Sequence, residues 1–234
     1  MAEATQRARV IGVRALTPNV HELRLLPLEH PIPFQPGQWV SLKLPIGDRN
    51  PLTRAYTMAE PPAASGELVL VFDRVPDGLG SKYLFDLKEG TELDIAGPYG
   101  RFVLPTPLAK DALFLARYTG VVPVRCMLRQ GIMSTSQVVL IYTMPDDDES
   151  LYHTEFTELA SGQQSFQYVP ITSPLRSETP VHQWPESRAL QPYVAQNRSL
   201  SLFVSGIRAF VRPLRGHLAE LGFERREIRA ETYD

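Results

Sequence analysis

Arg54-Ala55-Tyr56-Thr57 follows a proline-bounded loop and leads into Met58-Ala59-Glu60-Pro61-Pro62. Side chains alternate across a strand, so a strand here sets Arg54 and Tyr56 on one face and Thr57 on the other. A guanidinium on such a face suits a phosphate, and a phenol ring beside it lies against a planar heterocycle. Thr57, at the strand's end, carries a hydroxyl that such a position could direct at a ring nitrogen. An ordinary half-buried strand fits the same four residues, so the rest of the chain has to decide.

Around this run the first hundred residues read as β-structure. Segments rich in branched residues, at 7–16, 20–26, 38–44, 53–58, 67–72 and 92–95, are separated by Pro, Gly and Asp clusters at the spacing of a small barrel. One short helix is expected at 81–87. Past Pro105-Thr106-Pro107, read as a linker, strands alternate with helices. Residues 112–116, 138–142, 166–171 and 200–204 are near-continuous apolar runs, as buried parallel strands are. Tyr152, Phe156, Leu159 and Ala160 share one helical face, and Phe210, Leu214, Leu218 and Leu221 share another. Pro123 suits the first turn of a helix and Gly131 its end. The expected architecture is two-domain β + α/β. An antiparallel Greek-key β-barrel over 1–106 precedes a doubly wound parallel-sheet α/β domain over 107–234, closed by a strand at 227–231.

Composition narrows the function. Among 234 residues, 24 basic against 26 acidic side chains create no field that implies nucleic acid. A hydrophobic fraction of 43% suits a globular protein, and no apolar run approaches the roughly 20 residues of a membrane span. The first seven residues lack the apolar core of a secretory signal, so the expected location is cytoplasmic. Cys126 is the only cysteine, which excludes an intrachain disulfide and a cysteine-ligated iron–sulfur cluster. His21, His30, His153, His182 and His217 lack metal-ligand spacing, and no metal site is expected. Asp146-Asp147-Asp148-Glu149 reads as a solvated loop capping the next helix.

Four further segments follow the opening run in order. Gly78-Leu79-Gly80-Ser81-Lys82-Tyr83-Leu84 is a turn entering a helix, whose free amides suit a pyrophosphate. Gly97-Pro98-Tyr99-Gly100-Arg101-Phe102 is a glycine turn that also fits an ordinary hairpin corner. Ala116-Arg117-Tyr118-Thr119-Gly120-Val121-Val122-Pro123 and Val204-Ser205-Gly206-Ile207-Arg208 follow, with a terminal Glu231-Thr232-Tyr233. Together the segments resemble the ferredoxin–NADP reductase family across nearly the whole chain.

The resemblance implies FAD as cofactor. Arg54 would bind its pyrophosphate, Tyr56 would pack on the flavin, and Thr57 would hydrogen-bond near N5. Ala55 and the stretches Val71-Phe72-Asp73 and Leu79-Gly80-Ser81 would add contacts. NAD(P)H would bind against the flavin and pass a hydride to N5, with alignment the protein's main task. Ser205, in the place of a family cysteine, and Glu231 would stand beside the transferring atoms, with Thr57 completing the catalytic set. Tyr233 would cover the ring, and Tyr118 and Thr119 fall at cofactor-binding positions. The implied electron acceptor is a ferredoxin, a flavodoxin, free flavin or an oxygenase.

The chain departs from the family in its second half. Arg117 and Tyr118 stand where the family has two glycines, residues that take positive φ freely and let a ligand approach the backbone. Ile207 replaces a proline, the glycines near Trp184 are missing, and His153 stands where a base such as Arg is common. Arg176 is a candidate for a ribose phosphate, against a plain surface role. Two functions remain open. One is an FAD-dependent NAD(P)H oxidoreductase. The other is a flavoprotein without ordinary NAD(P)H binding, in which Tyr118 stacks on the flavin and Arg117 stabilises negative charge or attracts an anionic substrate. It would serve as an electron-transfer subunit or in redox-neutral catalysis.

Overall fold

The computed structural model describes residues 5–47, 51–105, 108, 110–131, 136–174, 178–197 and 199–233. Thr106 and Pro107 of the expected linker, and Arg176, lie outside them. The chain forms two compact units, one reaching Val103 and also including Arg125–Gln130, the other made of Leu104–Val124 and Gly131–Asp234.

The first unit contains β1 (Gln6–Thr17), β2 (Val20–Pro27), β3 (Trp39–Leu44), β4 (Leu52–Thr57), β5 (Leu68–Asp73) and β6 (Glu92–Tyr99). They form one antiparallel sheet in the order β4-β3-β6-β1-β2-β5. A single bridge, Met58↔Leu70, and the Ala59 amide on the Val69 carbonyl join the two ends of that order, closing it as a barrel. Strand alternation supplies the core: Ala8 and Val10, Leu23 and Leu25, Val40, Leu42 and Leu44 point inward beside Leu70 and Ile95. Each such leucine, fully buried, contributes about 2 kcal/mol relative to leaving it in water.

Between β5 and β6 lies α1 (Leu79–Phe85), which sends Leu84 into the core. It begins two residues before the helix expected at 81–87, because the extended backbone of Gly78 (ψ 110°) already serves as its N-cap.

The second unit is a five-stranded parallel sheet of β7 (Ala112–Arg117), β8 (Val138–Met144), β9 (Phe166–Thr172), β10 (Ser201–Gly206) and β11 (Ile228–Thr232). Its order is β11-β10-β7-β8-β9. Strands β7, β8 and β10 are buried at every position, which explains their near-continuous apolar runs, with Arg117, Thr143, Ser201 and Ser205 as buried polar exceptions. The helices of the chain's second half are α2 (Val121–Arg129), α3 (His153–Gly162), α4 (Pro185–Gln196) and α5 (Arg208–Glu220). Phe210, Leu214 and Leu218 form the buried stripe of α5, as their spacing predicts.

Helix α4 has no counterpart in the sequence reading. Leu190 and Val194 form a buried i, i+4 pair on it, but Pro192 lies between them and has no N–H for the helical ladder. Among the described residues, no helix is long and apolar enough to cross a membrane, and no group of three His, Cys, Asp or Glu is placed to hold a metal ion.

Candidate functional site

In the barrel, β4 pairs with β3 so that Arg54 faces Leu42 and Tyr56 faces Val40, while Thr57 faces Trp39. Arg54 and Tyr56 therefore share the parity of the barrel core, and Thr57 takes the other. Tyr56 packs against that core, its ring edge-on to Phe72 with centroids 6.1 Å apart, whereas Arg54 is exposed. An exposed residue on an inward parity marks a gap in the barrel wall. Burial pushes the Tyr56 phenol well above its ordinary pKa, and Arg54 beside it opposes the shift.

The gap is bordered by α1. A Cβ placed on Gly80 would lie 3.4 Å from the Arg54 Cγ and 3.3 Å from Leu52 Cδ2, so the glycine lets the helix sit directly against β4. No side chain caps α1, and among the described residues the amides of Leu79, Gly80 and Ser81 make no hydrogen bond. Arg54 binds only the Thr53 carbonyl, at 2.8 Å, and no described carboxylate pairs with it. An unpaired guanidinium and a turn of free amides thus converge at one place, a donor set that fits a diphosphate.

The Ser81 hydroxyl has a local task. Its hydroxyl accepts from the Val75 amide at 2.9 Å and donates to the Asp73 carbonyl at 3.2 Å, which fixes the turn from β5 into α1. Val71 and Phe72 are buried and Asp73 is half-buried, while Leu79 is 67% exposed and Ala55 is exposed. Thr57 is buried.

In the second unit the order of strands reverses between β7 and β10, and crevices for ligands form outside the carboxyl ends of strands at such a point. Arg117 ends β7; Tyr118, Thr119 and Gly120 make a 3-10 turn into α2. Ser205 pairs in register with both Ala116 and Glu231, so the three segments of the sequence reading meet on neighbouring strands. The buried Ser205 hydroxyl donates to the Gly120 carbonyl at 2.7 Å. The Tyr233 amide donates to the Gly206 carbonyl at 3.2 Å. Burial pushes the Glu231 carboxyl up from 4.5 to about 7.

Two residues with clear local roles escaped the sequence reading. Glu149 is buried, not solvated, and accepts the Tyr118 hydroxyl at 2.8 Å. Asp146, at the other end of that acidic run, caps the Glu149 amide at 3.0 Å, and the N-cap of α3 is Tyr152, without a side-chain bond. Glu186 is buried in the first turn of α4, where it accepts the Thr143 hydroxyl at 2.6 Å and lies 3.9 Å from Arg117. Arg117 is likewise buried. Proline followed by an acid, Pro185-Glu186, was the one available sign of a helix start at that point.

Comparison with known proteins now bears on both units. Residues 8–104 match the model of the oxidoreductase FAD-binding domain. Ferredoxin--NADP reductase B of Sorangium cellulosum is 31% identical over 239 residues, with 97% of each chain covered. The chain belongs to the ferredoxin–NADP reductase family. Like other members of this family of flavin-dependent oxidoreductases, it carries the FAD-binding domain in its first half. Some relatives are longer: the phenol hydroxylase P5 protein of Acinetobacter pittii is 30% identical over 76% of this chain but only 49% of its own length. Among solved structures, the Amycolatopsis cytochrome P450 reductase GcoB overlays with a TM-score of 0.81 at 22% identity, covering 100% of this chain and 71% of that one. The ferredoxin-NADP+ reductase of Plasmodium falciparum with 2'P-AMP gives 0.78 at 15% identity, covering 99% and 98%. Both share the fold of this chain.

Proposed function

We propose that this protein is a flavin-carrying reductase that takes electrons from NAD(P)H and delivers them to a ferredoxin, a flavodoxin or an oxygenase component. The observation that carries the reading is the convergence of Arg54 with the free amides of α1 beside Tyr56. Bound there, FAD would supply the exchange between two-electron and one-electron chemistry.

The residues of the chain bind, orient and hold protons. Arg54 and the Leu79–Ser81 amides neutralise the diphosphate. Tyr56, braced edge-on by Phe72, offers an aromatic surface to the flavin, with Ala55, Val71, Phe72 and Asp73 as its further surroundings. Thr57 is assigned the hydroxyl beside the reacting nitrogen. Ser205 holds the nucleotide turn through Gly120, and Glu231, with its pKa near 7, carries a proton at neutral pH for part of the time. Thr119 and Tyr118 belong to the coenzyme side. The single, buried Cys126 is in keeping with a cytoplasmic location.

A second reading, a flavoprotein that does not use NAD(P)H, is favoured by the two large side chains Arg117 and Tyr118. Anaerobic mixing of the yellow protein with NADH or NADPH separates the two. Bleaching of the flavin band by either coenzyme is the expected result, and its absence at millimolar coenzyme would remove the reductase reading.

A further inference from the structure

The second unit fills its own crevice. Arg117 ends β7 at the carboxyl edge of the sheet, and its side chain, 7% exposed, runs toward β8 and β9. Its Nη2 donates to the Ser173 carbonyl at 3.0 Å, while its Nη1 stands 3.9 Å from Glu186 Oε1. A guanidinium has five N–H donors. One hydrogen bond and one long ion pair are all that this one makes among the described residues. It is held, but held loosely.

Tyr118 completes the filling. Its backbone takes the left-handed conformation, φ 51°, that a glycine adopts without cost. At this one residue the turn takes a course that suits glycine, while Arg117 before it is extended, φ −125°. The Tyr118 ring is fixed at its far end by the 2.8 Å bond to the buried Glu149. Gly206, at the end of the neighbouring parallel strand β10, marks how tight the place is: a Cβ there would lie 3.2 Å from the Arg117 carbonyl oxygen.

The guanidinium is not arranged as a receiver for phosphate. Glu186 lies in the first turn of α4, where the helix end would otherwise favour an anionic ligand, and it already supplies the negative charge. We propose that Arg117 and Tyr118 form a displaceable plug, latched by Glu186 and Glu149, that sets how tightly a nicotinamide dinucleotide binds to this unit. The identity of the ligand rests on the reductase reading. The plug itself rests on the packing.

The test uses the flavin-loaded protein and the oxidised coenzymes NAD+ and NADP+, so that binding is read without reduction. Tyr118→Gly removes one half of the plug. Arg117→Ala combined with Glu186→Gln removes the other without leaving a buried carboxylate unpaired. Thermal unfolding confirms that each variant is folded. Calorimetric titration is expected to show at least tenfold tighter binding of one coenzyme to each variant than to the parent. Unchanged or weaker binding in both variants, or no binding to any of the three proteins, overturns the plug. Micromolar affinity in the parent overturns it as well. Anaerobic bleaching of the same proteins by NADH and NADPH reads the function separately: variants that bind more tightly and still fail to bleach would leave the plug in place and remove the reductase reading.

Discussion

Ser205 donates its hydroxyl to the Gly120 carbonyl across 2.7 Å, tying the end of β10 to the turn that follows β7. Both residues are buried, so the bond is made where water cannot replace it. Ser205→Ala leaves the Gly120 oxygen without this donor and is expected to cost about 1–3 kcal/mol of stability. Urea unfolding of the two proteins measures it, and a loss within a few tenths of a kcal/mol would show that the carbonyl finds another donor.

Gly120 is the more sensitive member of the pair. A Cβ added there would stand 2.4 Å from the Ser205 carbonyl oxygen, backbone against backbone, with no flexible side chain to yield. Gly120→Ala is expected to destabilise by about 3 kcal/mol. Gly216→Ala on α5, where nothing stands within 4 Å, is the matched control and is expected to gain up to about 1 kcal/mol from helix propensity. Equal midpoints for the two variants would contradict the close crossing.

Among the described residues, Arg54 has no carboxylate partner. Charge-assisted hydrogen bonds contribute about 1.5–3 kcal/mol each, so Arg54→Gln is expected to weaken FAD retention roughly tenfold to a hundredfold. Recovery of flavin fluorescence on dilution reports the dissociation. Arg54→Lys should fall between the two, since it keeps the charge and loses the forked geometry. Parent-like retention by Arg54→Gln would move the diphosphate elsewhere.

Glu231 gives the molecule a pH dependence with a definite sign. Burial raises its folded pKa from 4.5 to about 7, so between these values the folded chain keeps a proton that the unfolded chain releases. Its contribution to stability is full below pH 4.5 and is lost as pH rises through 7. Glu231→Gln is expected to flatten the stability profile across that window and to remove an ionisation near pH 7 from the rate of flavin reduction. Parallel urea midpoints for parent and variant from acid to neutral pH would rule this out.

The strands and most helices were legible because burial imposes a period on sequence. The alternation of Ala8 and Val10, and the helical spacing of Phe210, Leu214 and Leu218, state on their own which way they face. Helix α4 was not legible, since Pro192 obeys the local rule for a break while Leu190 and Val194 pack the helix anyway. The site divides along a similar line. Arg54 and Tyr56 could be placed by strand parity alone, yet nothing local announced that the Ser81 hydroxyl clasps its own turn. Glu149 was read as solvated, and Pro185-Glu186 signalled a helix start but no buried charge. A buried carboxylate is made tolerable by partners distant in sequence, here Tyr118 and Thr143, and no local pattern announces them.

The barrel's closure has a mechanical consequence. Five of its six seams are ladders of paired strands, whereas the seam between β4 and β5 is fastened by the Met58↔Leu70 bridge and the Ala59 amide. Arg54 and Tyr56 stand on one lip of that seam, and Phe72 and Asp73 on the other. On the placement proposed for it, a flavin would be gripped from both lips, as a rivet. Removing it should therefore leave most of the barrel's amides protected while those of 52–59 and 68–73 exchange with solvent first, so that the wall unzips along the line the cofactor had held shut.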